Sequence, residues 1–263
     1  MKNVRLLVCT LAMSMMSVSQ PAAAKSPAKS VVLAEGQTAQ APVAKDGYSY
    51  WLHIPPGYVA DKNARWPLMI FLHGSGERGS DLEKVKVHGP PKIAQRDPSF
   101  PFILISPQLP EEQDWDIAKL DAILKKATKS LRVDPKRIYL TGLSRGGHAT
   151  WRWAAMEPMR FAAVAPVCGT GDPESACALK DTPLWAFHGD RDDVVKPAGS
   201  WDMAEAIRKC GGNPRLTIYP DLGHNAWDPA YDDPALYLWM LEKRLPDAKP
   251  NAKGKAAPKA KAK

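Results

Sequence analysis

The sequence predicts an α/β domain built on a mostly parallel, doubly wound sheet with helices on both faces. Three observations predict it. Strand-like segments alternate with amphipathic helical ones along a chain of 263 residues, which is the pattern of β-α-β units. Two of the strand-like segments, Trp66–Leu72 and residues 102–106, are continuous apolar runs, as central strands covered on both faces require. Finally, a β-branched-rich run at residues 137–141 meets Gly142-Leu143-Ser144-Arg145-Gly146, and a small-residue helical pattern follows. That is a strand, a tight turn and a helix. The length suits one such domain with a well-buried core.

Residues 1–24 read as a secretory signal. Lys2 and Arg5 form a basic start, residues 6–18 are mostly apolar but short for a membrane span, and Ala22-Ala23-Ala24 is a small-residue cleavage site. This predicts a bacterial periplasmic or secreted protein with no integral membrane segment after cleavage. Residues 25–46 are rich in Ala, Pro, Ser and Lys and read as a flexible leader. The domain then spans 47–246. It opens with alternation: Tyr48, Tyr50, Leu52 and Ile54 share one face, and Ser49, Trp51 and His53 the other. This is a half-buried edge strand of an antiparallel start, stopped by Pro55-Pro56-Gly57. Between the strands at Trp66–Leu72 and 102–106, a polar, Pro-rich stretch predicts a loop with a short helix. Ile117, Leu120, Ile123, Leu124, Ala127 and Leu131 recur at helical spacing. Helix Arg145–Met156 follows the turn at Ser144, then strands at 161–167 and 183–187. A helix at 201–209 ends at Gly211-Gly212. Strand Arg215–Tyr219 and a helix at 234–244 close the domain. Residues 247–263 are Lys/Ala/Pro-rich and are expected to be disordered.

The net charge of +8 is unevenly placed. Residues 249–263 hold six Lys and no acid, so without them the charge falls by six to +2. No basic face interleaved with aromatics is legible, so nucleic acid is not an expected partner. After signal cleavage Cys168, Cys177 and Cys210 remain. An oxidising compartment permits a disulfide. Cys168 and Cys177 flank a Gly/Asp/Pro loop and are the expected pair, with one thiol left free. No Cys-x-x-Cys or His-x-x-x-His spacing points to zinc, and no metal is expected.

In doubly wound sheets, ligands gather outside the carboxyl ends of the strands. Four polar segments fall there. They are His73-Gly74-Ser75-Gly76-Glu77-Arg78-Gly79, the turn at Ser144, His188-Gly189-Asp190-Arg191-Asp192-Asp193, and Asp221-Leu222-Gly223-His224. A serine hydroxyl is almost fully protonated at neutral pH. As a nucleophile it needs a base in hydrogen-bond reach, and the base needs an orienting acid. The chain order Ser, Asp, His offers Ser144, one of Asp190, Asp192 and Asp193, and His224.

Together these four motifs resemble the α/β-hydrolase esterases over residues 47–244. The closest likeness is the branch of predicted peptidases, phospholipase/carboxylesterases, and poly(3-hydroxybutyrate)-depolymerase-like or feruloyl-esterase-like enzymes. The resemblance implies an α/β-hydrolase fold without a large cap domain, and no cofactor. It implies Ser144 as nucleophile, Asp192 as acid and His224 as base. The backbone N–H groups of Arg145 and Ser75 would form the oxyanion hole. Asp190 and Asp193 then read as loop-capping acids, and His73 and His188 as histidines that hold loops. Glu77 and Arg78 read either as a surface ion pair or as residues that rim the acyl site and fix the oxyanion loop. Trp115 and Trp227 read as an aromatic wall or as core, and Trp151 and Trp153 as core. Glu77, Trp115 and Trp227 are thus the expected substrate-binding residues. The implied activity is hydrolysis of a small or oligomeric carboxylic ester, acylated saccharides among the candidates, through an acyl-enzyme. Two rival readings are a peptidase with the same triad and a non-catalytic envelope-binding protein on a hydrolase scaffold.

Overall fold

A computed structural model describes residues 34–247. The expected signal at 1–24, the first part of the expected leader and the tail from 248 onward lie outside the described residues.

Eight strands form one sheet in the order β1-β2-β4-β3-β5-β6-β7-β8. β1 (Gly36–Gln40) and β2 (Tyr50–Ile54) are antiparallel, and β2 also runs antiparallel to β4 (Ile103–Pro107). The remaining pairings join β3 (Trp66–Leu72), β4, β5 (Val133–Leu143), β6 (Ala163–Val167), β7 (Trp185–Gly189) and β8 (Arg215–Tyr219), all parallel. Two expectations are corrected here. Part of the stretch read as a flexible leader is β1, and β1 rather than β2 is the edge. The five residues of β1, Gly-Gln-Thr-Ala-Gln, carry no apolar alternation. They are ordered by their five-residue register with β2, from Gly36 opposite Ile54 to Gln40 opposite Tyr50. Flanked on both sides, β2 buries His53 as well as Leu52 and Ile54.

The apolar runs of the central strands follow from two cores, one on each face. In β3, Leu68, Ile70 and Leu72 point into one. It is completed by Leu120, Ile123 and Leu124 of α2 (Ile117–Ser130), Trp151 and Trp153 of α3 (Arg145–Met156), and Met203 and Ile207 of α4 (Ala198–Lys209). Met69 and Phe71 point into the other. It includes Ala94 of α1 (Gly89–Arg96), Tyr231 of α5 (Trp227–Asp232), and Leu236, Trp239 and Met240 of α6 (Pro234–Glu242). Caps set helix starts where the sequence places acids. Asp116 accepts from the N–H of Ala118 at 2.8 Å, and Asp233 from that of Ala235 at 2.8 Å. Among the described residues, no helix is long and apolar enough to cross a membrane.

The disulfide is Cys177–Cys210, not Cys168–Cys177. Closeness in sequence misleads here. Cys168 follows β6 and is fully buried in the second core, its N–H donating to the carbonyl of Phe187 at 2.8 Å. Cys177 lies in a 3₁₀ turn, Pro173–Leu179, that packs on α4, and Cys210 caps α4, with the two Cα atoms 5.2 Å apart. The bond closes a loop of 33 residues. Cys210→Ala is expected to lower the free energy of unfolding in urea by about 3 kcal/mol. A loss well under about 1 kcal/mol would show that the bond constrains little.

Candidate active site

The carboxyl ends of β3, β5, β7 and β8 carry the four polar segments to one rim of the sheet. Ser144 sits between β5 and α3 with φ 51° and ψ −116°, a region L-residues rarely adopt. Such a conformation costs on the order of 1–3 kcal/mol and persists only where its surroundings determine it. Its N–H donates to the carbonyl of Val167 at 3.0 Å, and its carbonyl accepts from His148 N–H at 2.9 Å. The flanking glycines make the turn possible: a Cβ on Gly146 would collide with the Leu72 carbonyl, and one on Gly142 would lie 2.6 Å from the Gly146 carbonyl oxygen. Strand and helix therefore approach within backbone contact, and the serine side chain is lifted clear of both.

Ser144, His224 and Asp192 form a continuous hydrogen-bonded chain. The Ser144 hydroxyl donates to His224 Nε2 at 2.9 Å, and His224 Nδ1–H donates to Asp192 Oδ2 at 2.7 Å. Asp192 is the acid brought to His224. Its Oδ1 accepts from the N–H groups of Val194 and Val195 at 2.9 and 2.8 Å. Asp192 is 2 % exposed. Burial pushes its carboxyl up, but the bonds from His224, Val195 and Val194 outweigh that and hold it below the ordinary carboxylate range.

A second histidine enters this chain. His188 Nε2 lies 3.1 Å from Asp192 Oδ2 and 2.8 Å from the Val195 carbonyl. Both partners are acceptors, so Nε2 carries the proton, and Nδ1 accepts from the Ser200 hydroxyl at 2.7 Å. Burial lowers the pKa of His188, which keeps it neutral, as this pattern needs. Sequence reasoning placed His188 among loop-holding residues. The loop it holds is the one that aims the acid.

The segment after β3 is pinned from beneath. Glu77 is buried, and its Oε2 accepts from Gly74 N–H at 2.9 Å. Arg78 Nε donates to the Ser75 carbonyl at 3.1 Å. Glu77 therefore fixes the loop and does not rim the site. Arg145 closes the same loop from above. Its Nε donates to Ser75 Oγ at 2.9 Å, and its Nη1 pairs with Asp114. Arg145 is also the first residue of α3, so its backbone N–H is one of the first-turn donors without an intrahelical acceptor. A cavity of about 400 Å³ opens at Ser144, walled by Ser75, Trp115, Arg145, His148, Arg152 and Val194. Trp115 is both wall and core: it is buried, and its Nε1–H donates to the His73 carbonyl at 3.3 Å. Trp227 does not line this cavity. It packs edge-on against the His224 ring at 5.2 Å and steadies the imidazole from outside. Asp114 and Arg152 also line the cavity and carry no signal in the sequence, whereas Val194 belongs to the same motif as His188, Gly189 and Asp192.

His73 gives a pH prediction. Its Nδ1–H donates to the Gly74 carbonyl at 2.6 Å, and its Nε2 accepts from Leu109 N–H at 3.0 Å. The ring is fully buried, and burial lowers its pKa to about 4. The unfolded chain binds this proton near pH 6.5 and the folded one only near 4. Stability therefore falls as pH drops through that window, by at most about 3 kcal/mol from this group. His53 and His188, also lowered by burial, add in the same direction. Urea unfolding at pH 7.5 and 5 checks this; equal stability at both would contradict it.

A serine in a strained turn between a central parallel strand and a helix, with its acid and histidine on the loops after β7 and β8, defines an α/β-hydrolase architecture. The chain belongs to the dienelactone hydrolase family: that family's profile matches residues 104–235, half of the chain, and this stretch contains Ser144, Asp192 and His224. Among curated proteins, "Putative esterase NocK" of Nocardia uniformis subsp. tsuyamanensis is 31% identical over 183 residues, covering 65% of this chain and 53% of that protein. "Probable feruloyl esterase C" of Aspergillus niger is 26% identical over 190 residues, covering 69% of each. Among solved structures, that of a thermostable esterase superposes with a TM-score of 0.70 at 27% identity, covering 79% of this chain and 63% of the other. The chain thus spans about half the length of NocK.

Proposed function

We propose that the protein is a serine carboxylic-ester hydrolase. The observation that carries this reading is the bonded chain from Ser144 Oγ through His224 to Asp192, anchored on a serine with φ 51°. Ser144 Oγ attacks the ester carbonyl carbon while His224 Nε2 takes its proton. The carbonyl oxygen becomes an oxyanion held by the backbone N–H groups of Arg145 and Ser75, each worth about 3–4 kcal/mol in the transition state. The bond to the alcohol oxygen then breaks, and His224 returns the proton to the leaving alcohol. Water enters, gives a proton to His224 and attacks the acyl-enzyme. The acid departs, and Ser144 regains its proton. Asp192 stays ionised throughout and holds His224 with Nε2 free to accept. No step calls on a metal or cofactor.

The open cavity at Ser144 favours esters with bulky alcohols, acylated saccharides among them; the relative named a feruloyl esterase supports only that the bond cleaved is an ester. We further place the protein in the bacterial periplasm or outside the cell. The signal-like residues 1–24 support this, and so does a disulfide between Cys177 and Cys210.

The test is a panel of p-nitrophenyl acetate, butyrate and octanoate and methyl ferulate beside the matching anilides. Ester turnover with little anilide turnover is expected. Preference for the anilides would move the reading to a peptidase. No turnover of either would favour a binding protein on a hydrolase scaffold.

A further inference from the structure

The cavity at Ser144 does not end at Arg152. A second cavity, of about 510 Å³, shares His148 and Arg152 with it and continues past Ala155 and Met156. Ser144, His148, Arg152 and Met156 are spaced by four, so they form one stripe along α3. At 1.5 Å per residue that stripe runs about 18 Å from the serine.

The far wall is built, not incidental. The N–H of Thr170 donates to His148 Nδ1 at 2.7 Å, which fastens the loop after β6 to α3. Ser175 lies in the 3₁₀ turn that Asp172 caps, accepting from Glu174 N–H at 3.0 Å. The Cys177–Cys210 disulfide ties that turn to the end of α4. On the near wall, Arg152 Nη2 donates to the Trp115 carbonyl.

The chemistry of the trough is mixed along its length. Arg152 offers donors and Asp172 acceptors, and Ser175, whose hydroxyl proton goes to the Asp172 carbonyl at 2.7 Å, offers an acceptor. Beside them Ala155 and Met156 present an apolar surface, Met156 being 62 % exposed. A sugar ring matches this combination, with hydroxyls around its edge and C–H groups on its faces. A fatty acyl chain does not, because it would strip water from Arg152 and Asp172 without replacing the lost hydrogen bonds. An extended peptide is also a poor match. Peptides of that kind add to a free sheet edge, whereas Ser144 follows β5, in the middle of the sheet, and the edges are β1 and β8.

We infer that this trough is a subsite for a saccharide chain, binding sugar units beyond the one that carries the acyl group. The inference rests on the ester-hydrolase reading of Ser144 and narrows it to oligomeric sugar esters. The test measures kcat/KM for acetylated xylo-oligosaccharides of one to four units, with p-nitrophenyl acetate run on the same preparations. Each added ring that gains a hydrogen bond is worth several-fold, so the wild type should rise about tenfold or more from one unit to four. Ser175→Trp, which plugs the trough, and Met156→Glu, which removes its apolar face, should each flatten that rise to about twofold or less. A flat wild-type series with p-nitrophenyl acetate still hydrolysed would overturn the subsite and leave the esterase reading standing. If neither substrate is turned over, the esterase reading fails, and calorimetry of Ser144→Ala with unacylated xylotetraose decides the trough alone. Binding that Ser175→Trp abolishes would support it. Absence of binding, or binding of an extended peptide in its place, would overturn it.

Discussion

Ser144→Ala is expected to lower kcat for p-nitrophenyl acetate by a factor on the order of 10⁴–10⁶. The loss is large because the substitution removes the only atom aimed from the strained turn at the His224 imidazole; the remaining groups have no nucleophile to activate. The oxyanion donors and the cavity survive, so a residual rate above background is expected. The fold should tolerate the change, since alanine keeps the backbone bonds to Val167 and His148 that hold the turn. Thermal unfolding within a few degrees of wild type would confirm that only chemistry was removed. A loss of less than about tenfold would mean that Ser144 is not the attacking group.

Asp192→Asn is expected to cost on the order of 10⁴-fold in kcat, although it changes a single atom. Four donors converge on this carboxylate: the imidazole N–H groups of His224 and His188, and the amides of Val194 and Val195. An asparagine has one acceptor oxygen and one NH₂. If the oxygen faces the amides, the NH₂ confronts two imidazole N–H groups. His224 then turns to the other tautomer, with Nε2 protonated and unable to take the proton of Ser144. If the oxygen faces the imidazoles, the NH₂ confronts the amides and the loop after β7 loosens. Either way a buried donor is unpaired, and stability should fall by about 1–3 kcal/mol. The acid limb follows with a definite sign. The Asp192 carboxyl is held below its unfolded pKa, so its contribution to stability is complete above about pH 4 and is lost as pH falls through the folded value. Steady-state kinetics and urea unfolding of the variant check both effects. Activity within about tenfold of wild type would show that another acid orients His224.

Much of this architecture was legible because burial writes itself into sequence. The strand Trp66–Leu72 and the helix Arg145–Met156 keep their expected bounds, since a strand between two cores must be apolar throughout and the first turn of a helix behind a serine turn must carry small residues where it meets the sheet. The positions of Ser144, Asp192 and His224 were legible for a related reason: each follows a strand, and parallel strands deliver their ends to one rim. What was not legible depends on partners distant in the chain. β1 has no pattern of its own and exists through its ladder with β2. The six-residue α5 contains Pro229 and is set by packing of Ala230 and Tyr231 into the core. Cys177 meets Cys210 because a 3₁₀ turn lies on α4, not because of spacing. Glu77 looks like a surface acid in a Gly-rich loop until Gly74 N–H is seen to need an acceptor. The walls of the cavity belong to the same class. Asp114 and Arg152 reach it from separate loops and helices, through contacts with Arg145 and Trp115 that no local pattern encodes.

The most direct test of the central claim, that Ser144 is the covalent nucleophile, is labelling with a fluorophosphonate followed by peptide mapping. The account predicts a single adduct per chain, on the peptide that contains Ser144, formed slowly in Asp192→Asn and absent in Ser144→Ala. No adduct on the folded wild type, or an adduct that persists in Ser144→Ala, would contradict it.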